Sequence, residues 1–111
     1  MALATVIYSG SAGSFQPTTF HCESDGEALL FVSASAWSKT AESQIGLRIS
    51  IDGSAYAILT HFCNPAATHF ALTPVLVPVK LPIGQHTVTL TPINGNTVVD
   101  LNDNLNIVLQ Y

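Results

Sequence analysis

From Gln85 to Pro92 the chain alternates strictly, with His86, Val88 and Leu90 on one parity and Thr87, Thr89 and Thr91 on the other. Successive side chains on a β-strand point to opposite faces, so this pattern is a strand with one buried and one wetted face. The same period closes the chain, where Leu105, Ile107, Leu109 and Tyr111 share one face and Asn106 and Gln110 the other. No window carries apolar residues at helical spacing with capping chemistry at its ends. Period two without period 3.6 implies an all-β fold, an antiparallel β-sandwich with no significant helix, and residues 1–111 are read as one such domain.

Asp52-Gly53 is the strongest turn signal, because a type I′ hairpin turn needs positive φ at both central residues. A two-residue turn there predicts Ile51 opposite Ser54, Ile49 opposite Tyr56 and Leu47 opposite Ile58. Arg48, Ser50, Ala55 and Ala57 would then share the other face. Upstream, Ala28 to Trp37 reads as a strand with Leu30, Val32, Ala34 and Ala36 on one side and Leu29, Phe31, Ser33, Ser35 and Trp37 on the other. Its apolar start predicts burial on both faces. Thr5 to Ser9 and Thr18 to Ser24 are further strands, separated by Gly10 to Ser14, whose small residues are read as punctuation rather than packing. Pro74 and Pro78 cannot donate to a ladder, so Thr68 to Leu81 is either two strand pieces or one edge strand. Turns follow at Leu81-Pro82-Ile83-Gly84 and Asn94-Gly95-Asn96, and about eight short strands so joined fit a sandwich or small barrel.

Charge is scarce. Hydrophobic residues make up 48% and charged residues 9% of the chain, against a usual charged share of about 25%. Either the exterior is a neutral Ser/Thr/Asn surface or apolar surface is covered by further copies of the chain, and a homo-oligomer is expected. Lys39, Arg48 and Lys80 are the only cationic side chains, too few for a stripe that would neutralise a phosphate backbone, so nucleic acid is not an expected partner. No apolar run approaches the ~20 residues that cross a bilayer, and Met1 to Tyr8 lacks the basic start of a secretory leader. A soluble protein with no membrane partner is expected, in a compartment the sequence does not specify. Cys22 and Cys63 permit one disulfide without requiring it, and reduced, buried thiols are the favoured reading.

Candidate chemistry is sparse. His61, Cys63 and His69 form the densest set of zinc-type ligands, but paired Cys-x-x-Cys spacing is missing. His61 and Cys63 lie two apart on the strand face of Ala55 and Ala57 and are read as a hydrogen-bonded surface histidine and a packed thiol, or as part of a subunit contact. Asp100, Asn102, Asp103 and Asn104 place oxygen donors in one loop, a set suited to calcium or simply to a turn in which Asn and Asp bond their own backbone. Trp37 is a core or interface residue or a platform for stacking a sugar. There is no Gly-x-Ser-x-Gly elbow and no phosphate-cradling loop, so no catalytic residue is assigned and no cofactor beyond calcium is expected. Two readings stand: a non-enzymatic structural or recognition head, and a lectin-like module, with a glycan or a protein as ligand.

The stretch Leu81-Pro82-Ile83-Gly84-Gln85-His86-Thr87-Val88-Thr89-Leu90, with Asn102-Asp103 and Leu105 to Tyr111, resembles tumour-necrosis-factor-like and complement-globular-head-like jelly rolls. The resemblance covers roughly the C-terminal 45 residues. It departs from the family's pattern at Leu105-Asn106-Ile107, where an aromatic-Gly signature would stand. What it implies is a jelly roll of about ten strands that assembles as a three-fold trimer through an apolar, aromatic-bearing face.

Overall fold

The computed structural model describes residues 4–111. Ten strands follow in order: β1 (Ala4–Ser11), β2 (Thr18–Cys22), β3 (Glu27–Ser38), β4 (Ser43–Ile51), β5 (Ser54–Cys63), β6 (Phe70–Ala71), β7 (Val75–Lys80), β8 (Gly84–Pro92), β9 (Thr97–Val98) and β10 (Asn104–Gln110). A 3₁₀ turn at Ala12–Ser14 is the one helical piece among the described residues. All the pairings are antiparallel, and they make two sheets: β2-β8-β4-β5, and a second in which β1, β10 and β3 are neighbours and β6, β7 and β9 also pair with β3.

The alternation read from the sequence is what packs the two layers together. Leu30, Val32, Ala34 and Ala36 of β3, Leu105, Ile107 and Leu109 of β10, and Val88 of β8 are buried in one cluster with Ile45, Leu47, Ile49 and Ile51 of β4. β3 is the spine of its sheet. At twelve residues it is long enough to pair with β10 and β7 along its first part and with β6 and β9 at its end.

The hairpin forms where the turn signal placed it, with positive φ at both Asp52 and Gly53. Its register departs from expectation one step in. Ile51 faces Ser54 and Ser50 faces Ala55, but an irregularity between Ile49 and Ser50 sets Ile49 opposite Ala57, Arg48 opposite Ile58 and Leu47 opposite Leu59. Tyr56 is the extra residue of a β-bulge, and the slip trades faces beyond it. Ala57, Leu59 and Cys63 turn into the core, while Ile58, expected beside Leu47, turns out to solvent. The sequence carries no mark of this bulge; packing Leu59 rather than Ile58 against Leu47 selects it.

Two further expectations are corrected. The outer face of β3 is not buried within the chain, since Leu29 and Phe31 remain exposed. The Gly10–Ser14 segment packs rather than merely punctuates: Gly10 and Ser11 belong to β1, Ala12 is buried, and a Cβ on Gly13 would lie 2.4 Å from the Asp100 carbonyl carbon. The proline-bearing stretch resolves as expected into two pieces, β6 and β7, with Pro74 between them. Cys22 and Cys63 are both free and buried. They lie on β2 and β5, the two edges of one sheet, three spacings of about 4.8 Å apart and beyond disulfide reach. Among the described residues no helix is long and apolar enough to cross a membrane.

Candidate functional site

Two features of the surface stand out, and β3 organises both. The first is an apolar row across the outer face of its sheet. Val6 pairs with Val108, Val108 with Phe31, and Phe31 with Leu76, so four apolar side chains from β1, β10, β3 and β7 stand side by side. Directly opposed residues of an antiparallel pair share a face. Val6, Phe31 and Leu76 are 63%, 39% and 57% exposed. The next row, Ala4, Gln110, Leu29 and Pro78, continues the surface into a shallow depression of about 420 Å³ lined by Glu27, Ala28, Leu29, Pro78, Gln110 and Tyr111. On the other side the surface turns polar: Ser9 Oγ donates to Asn106 Oδ1 at 2.8 Å and Asn106 Nδ2 to Ser33 Oγ at 3.2 Å.

The second feature lies at the far end of β3. Ser35 and Ala36 pair with Ala71 and Phe70 of β6, which brings His69 alongside Trp37, and Trp37 pairs with Val98 of β9, two residues before Asp100. The sequence held Trp37 and the Asp100–Asn104 loop as separate candidates; the structure joins them. Trp37 Nε1 donates to Asp100 Oδ2 at 3.1 Å, and the Trp37 and His69 rings stand 6.3 Å apart. Asp103 is 2% exposed. Its Oδ1 accepts from Ser35 Oγ at 2.8 Å and His69 Nδ1 at 2.7 Å, and its Oδ2 from the Asp100 amide at 2.9 Å. Asp100 Oδ1 accepts from the Asn102 amide at 2.8 Å, and the Asn104 amide donates to Ser35 Oγ at 3.0 Å. The hydrogen bond His69 donates to Asp103, aided by the negative charges of Asp103 and Asp100, raises the His69 pKa above its ordinary value against some desolvation.

His69 therefore parts from the histidine and cysteine it neighbours in sequence. His61 faces the space between the sheets at its margin, half-buried and stacked on Phe70 with ring centroids 4.7 Å apart. Cys63 is fully buried, and burial pushes its thiol pKa up. Neither projects from the apolar row. Among the described residues, His69, Asp100 and Asp103 are the one three-member group of His, Cys, Asp or Glu whose ligand atoms all lie within 4.8 Å of one another. Ser35 and His69 were not read as partners of this loop, because the pairing that brings them there spans about 30 to 70 residues of sequence.

No protein-family model matches the chain. No curated protein matches it either. Among solved structures it is similar to the globular domain of zebrafish complement 1qA protein, with a TM-score of 0.58 over 99% of this chain and 94% of that one, at 15% sequence identity. The chain has the complement-globular-head jelly-roll fold. The likeness runs nearly the length of both chains, well beyond the C-terminal stretch that carries the resemblance in the sequence.

Proposed function

We propose that the chain is a non-catalytic head that self-associates about a three-fold axis through the outer face of the β1-β10-β3-β7 layer, and serves as a structural or recognition unit. The Val6–Val108–Phe31–Leu76 row carries this reading. Scattered surface apolar residues need no explanation, but a contiguous row rimmed by polar Ser9, Asn106 and Ser33 is the pattern of a contact surface. Scarce charge points the same way, since a chain with 9% charged residues has little with which to solubilise such a face.

A second patch favours a ring over a face-to-face dimer. Ile58 and Phe62, 48% and 54% exposed, project outward from β5, the edge strand of the other sheet. Two unlike apolar patches suit a heterologous contact, in which the face of one copy meets the edge of the next, and such contacts close into rings. Three-fold closure is what the resemblance to tumour-necrosis-factor-like heads implies. Sedimentation velocity over a concentration series tests it. A single species at three times the 11.7 kDa chain mass is expected, and a monomer persisting into the tens of micromolar contradicts it.

The convergence of Trp37 on Asp100 supports a second reading, a sugar-binding surface at the end of β3 with the half-buried indole as stacking plane. A glycan array run with calcium and with chelator decides it, with Trp37→Ala as the control that must lose any signal.

A further inference from the structure

Asp103 sits behind His69 rather than beside it in solvent. Buried and engaged through both oxygens, it acts on the imidazole: its bond to Nδ1 fixes the neutral ring as the Nδ1–H tautomer, so Nε2 presents its lone pair on the exposed side. There Asp100 Oδ2 lies 3.7 Å from Nε2, too far for a hydrogen bond. An ion about 2.1 Å from each atom would subtend an angle of roughly 120°, near the tetrahedral value zinc prefers. A carboxylate that orients an imidazole from its far nitrogen is the usual outer support of a metal-binding histidine.

We propose that His69 Nε2 and Asp100 Oδ2 form a two-point site for a borderline divalent transition ion, zinc by preference, with Asp103 and Ser35 as positioning residues. The donor set suits zinc rather than calcium. Calcium gathers six to eight oxygens, whereas here one donor is an imidazole, Asp103 is committed inward, Asp100 Oδ1 holds the Asn102 amide, and Asp100 Oδ2, which accepts from Trp37 Nε1, has one further lone pair to offer. The side chains of His69 and Asp100 are each about two-fifths exposed, so the remaining coordination positions face solvent and are filled by water or by a donor from a bound partner. An ion there would tie the segment leading into β6 to the loop leaving β9, clamping both onto the end of β3. The site is independent of self-association, because it lies at the opposite end of β3 from the Leu29–Phe31 face.

Zinc chloride titrated into the whole chain at mildly alkaline pH, where the imidazole gives up its proton to the metal, tests the assignment by calorimetry and thermal melting. Saturable binding of one ion per chain and a raised Tm are expected. His69→Gln and Asp100→Asn should each abolish both, and Asp103→Asn should weaken affinity about 10- to 100-fold. Cobalt(II) supplies a readout that does not depend on stability: visible ligand-field bands in the wild type, absent in the Asp100→Asn variant. Failure of the wild type to bind zinc saturably overturns the proposal. So does zinc binding undiminished in both His69→Gln and Asp100→Asn, or calcium binding at the site to the exclusion of zinc.

Discussion

His86 Nδ1 meets Asp52 Oδ2 at 2.5 Å while its Nε2 meets the Pro82 carbonyl oxygen at 2.7 Å, so a buried imidazole is held between two acceptors. Both nitrogens must carry hydrogen to satisfy that arrangement, which makes the ring an imidazolium. It joins the Asp52-Gly53 turn to the start of β8, and Phe20 of β2 covers it with ring centroids 5.7 Å apart. Asp52 is the charged side chain set against it. The bonds to Asp52 and to the Pro82 carbonyl raise the His86 pKa against the opposing cost of burial, while the bonds from His86 and the Thr87 amide lower that of Asp52.

Stability should therefore depend on pH in a stated direction. With its folded pKa raised above 6.5, His86 contributes fully below that value, and its contribution is lost as pH climbs through the folded pKa. Asp52, depressed below 3.8, contributes above that value and loses its contribution as pH falls through the folded pKa. Between those two limits the pair stabilises the hairpin most. Thermal melts across the range should show Tm falling from mildly acidic to alkaline pH, and Asp52→Asn should flatten that fall.

Gly13 is a point of close docking, since an added Cβ would meet Asp100 and Leu101 backbone atoms at 2.4 to 2.8 Å. Backbone cannot yield as a flexible side chain can, so Gly13→Ala should cost about 1 to 3 kcal/mol in chemical denaturation. Gly95, with nothing within 4 Å of its Cβ position, is the control and Gly95→Ala should be near neutral.

Ser35 is small, buried and doubly engaged, donating to Asp103 Oδ1 and accepting from the Asn104 amide. Ser35→Ala leaves a buried carboxylate and an amide each short of a partner, which should destabilise by about 1 to 3 kcal/mol. The His69 ring should also lose its fixed orientation, seen as a changed imidazole environment by NMR.

Much of the fold was legible because each strand's period matches the layer it faces: Val88, Leu105, Ile107 and Leu109 are buried as their parity predicted. The Asn94 turn was legible for its own chemistry, the Asn94 side-chain oxygen accepting from the Asn96 and Thr97 amides. The bulge at Tyr56 was not, because it is decided by whether Ile58 or Leu59 packs beside Leu47 in the core. The surface row escaped for a similar reason. Phe31 read as one side of a strand start buried on both faces, and only its pairing with Val108 and Leu76 shows it to be one of four neighbours on an open face. At the far end, Trp37, Asp100 and Asp103 could be named singly, while their meeting with His69 and Ser35 needed a sheet to bring distant segments together.

Self-association through the outer face of β3 is tested most directly by multi-angle light scattering on the wild type beside Phe31→Asp and Leu76→Glu. Both residues are solvent-exposed in the single chain, so neither change should prevent folding of a protomer. The wild type should elute at three times 11.7 kDa and both variants, with unchanged far-ultraviolet circular dichroism, at or near the single-chain mass. A wild type that runs at 11.7 kDa, or variants that keep the wild-type mass, would contradict the account.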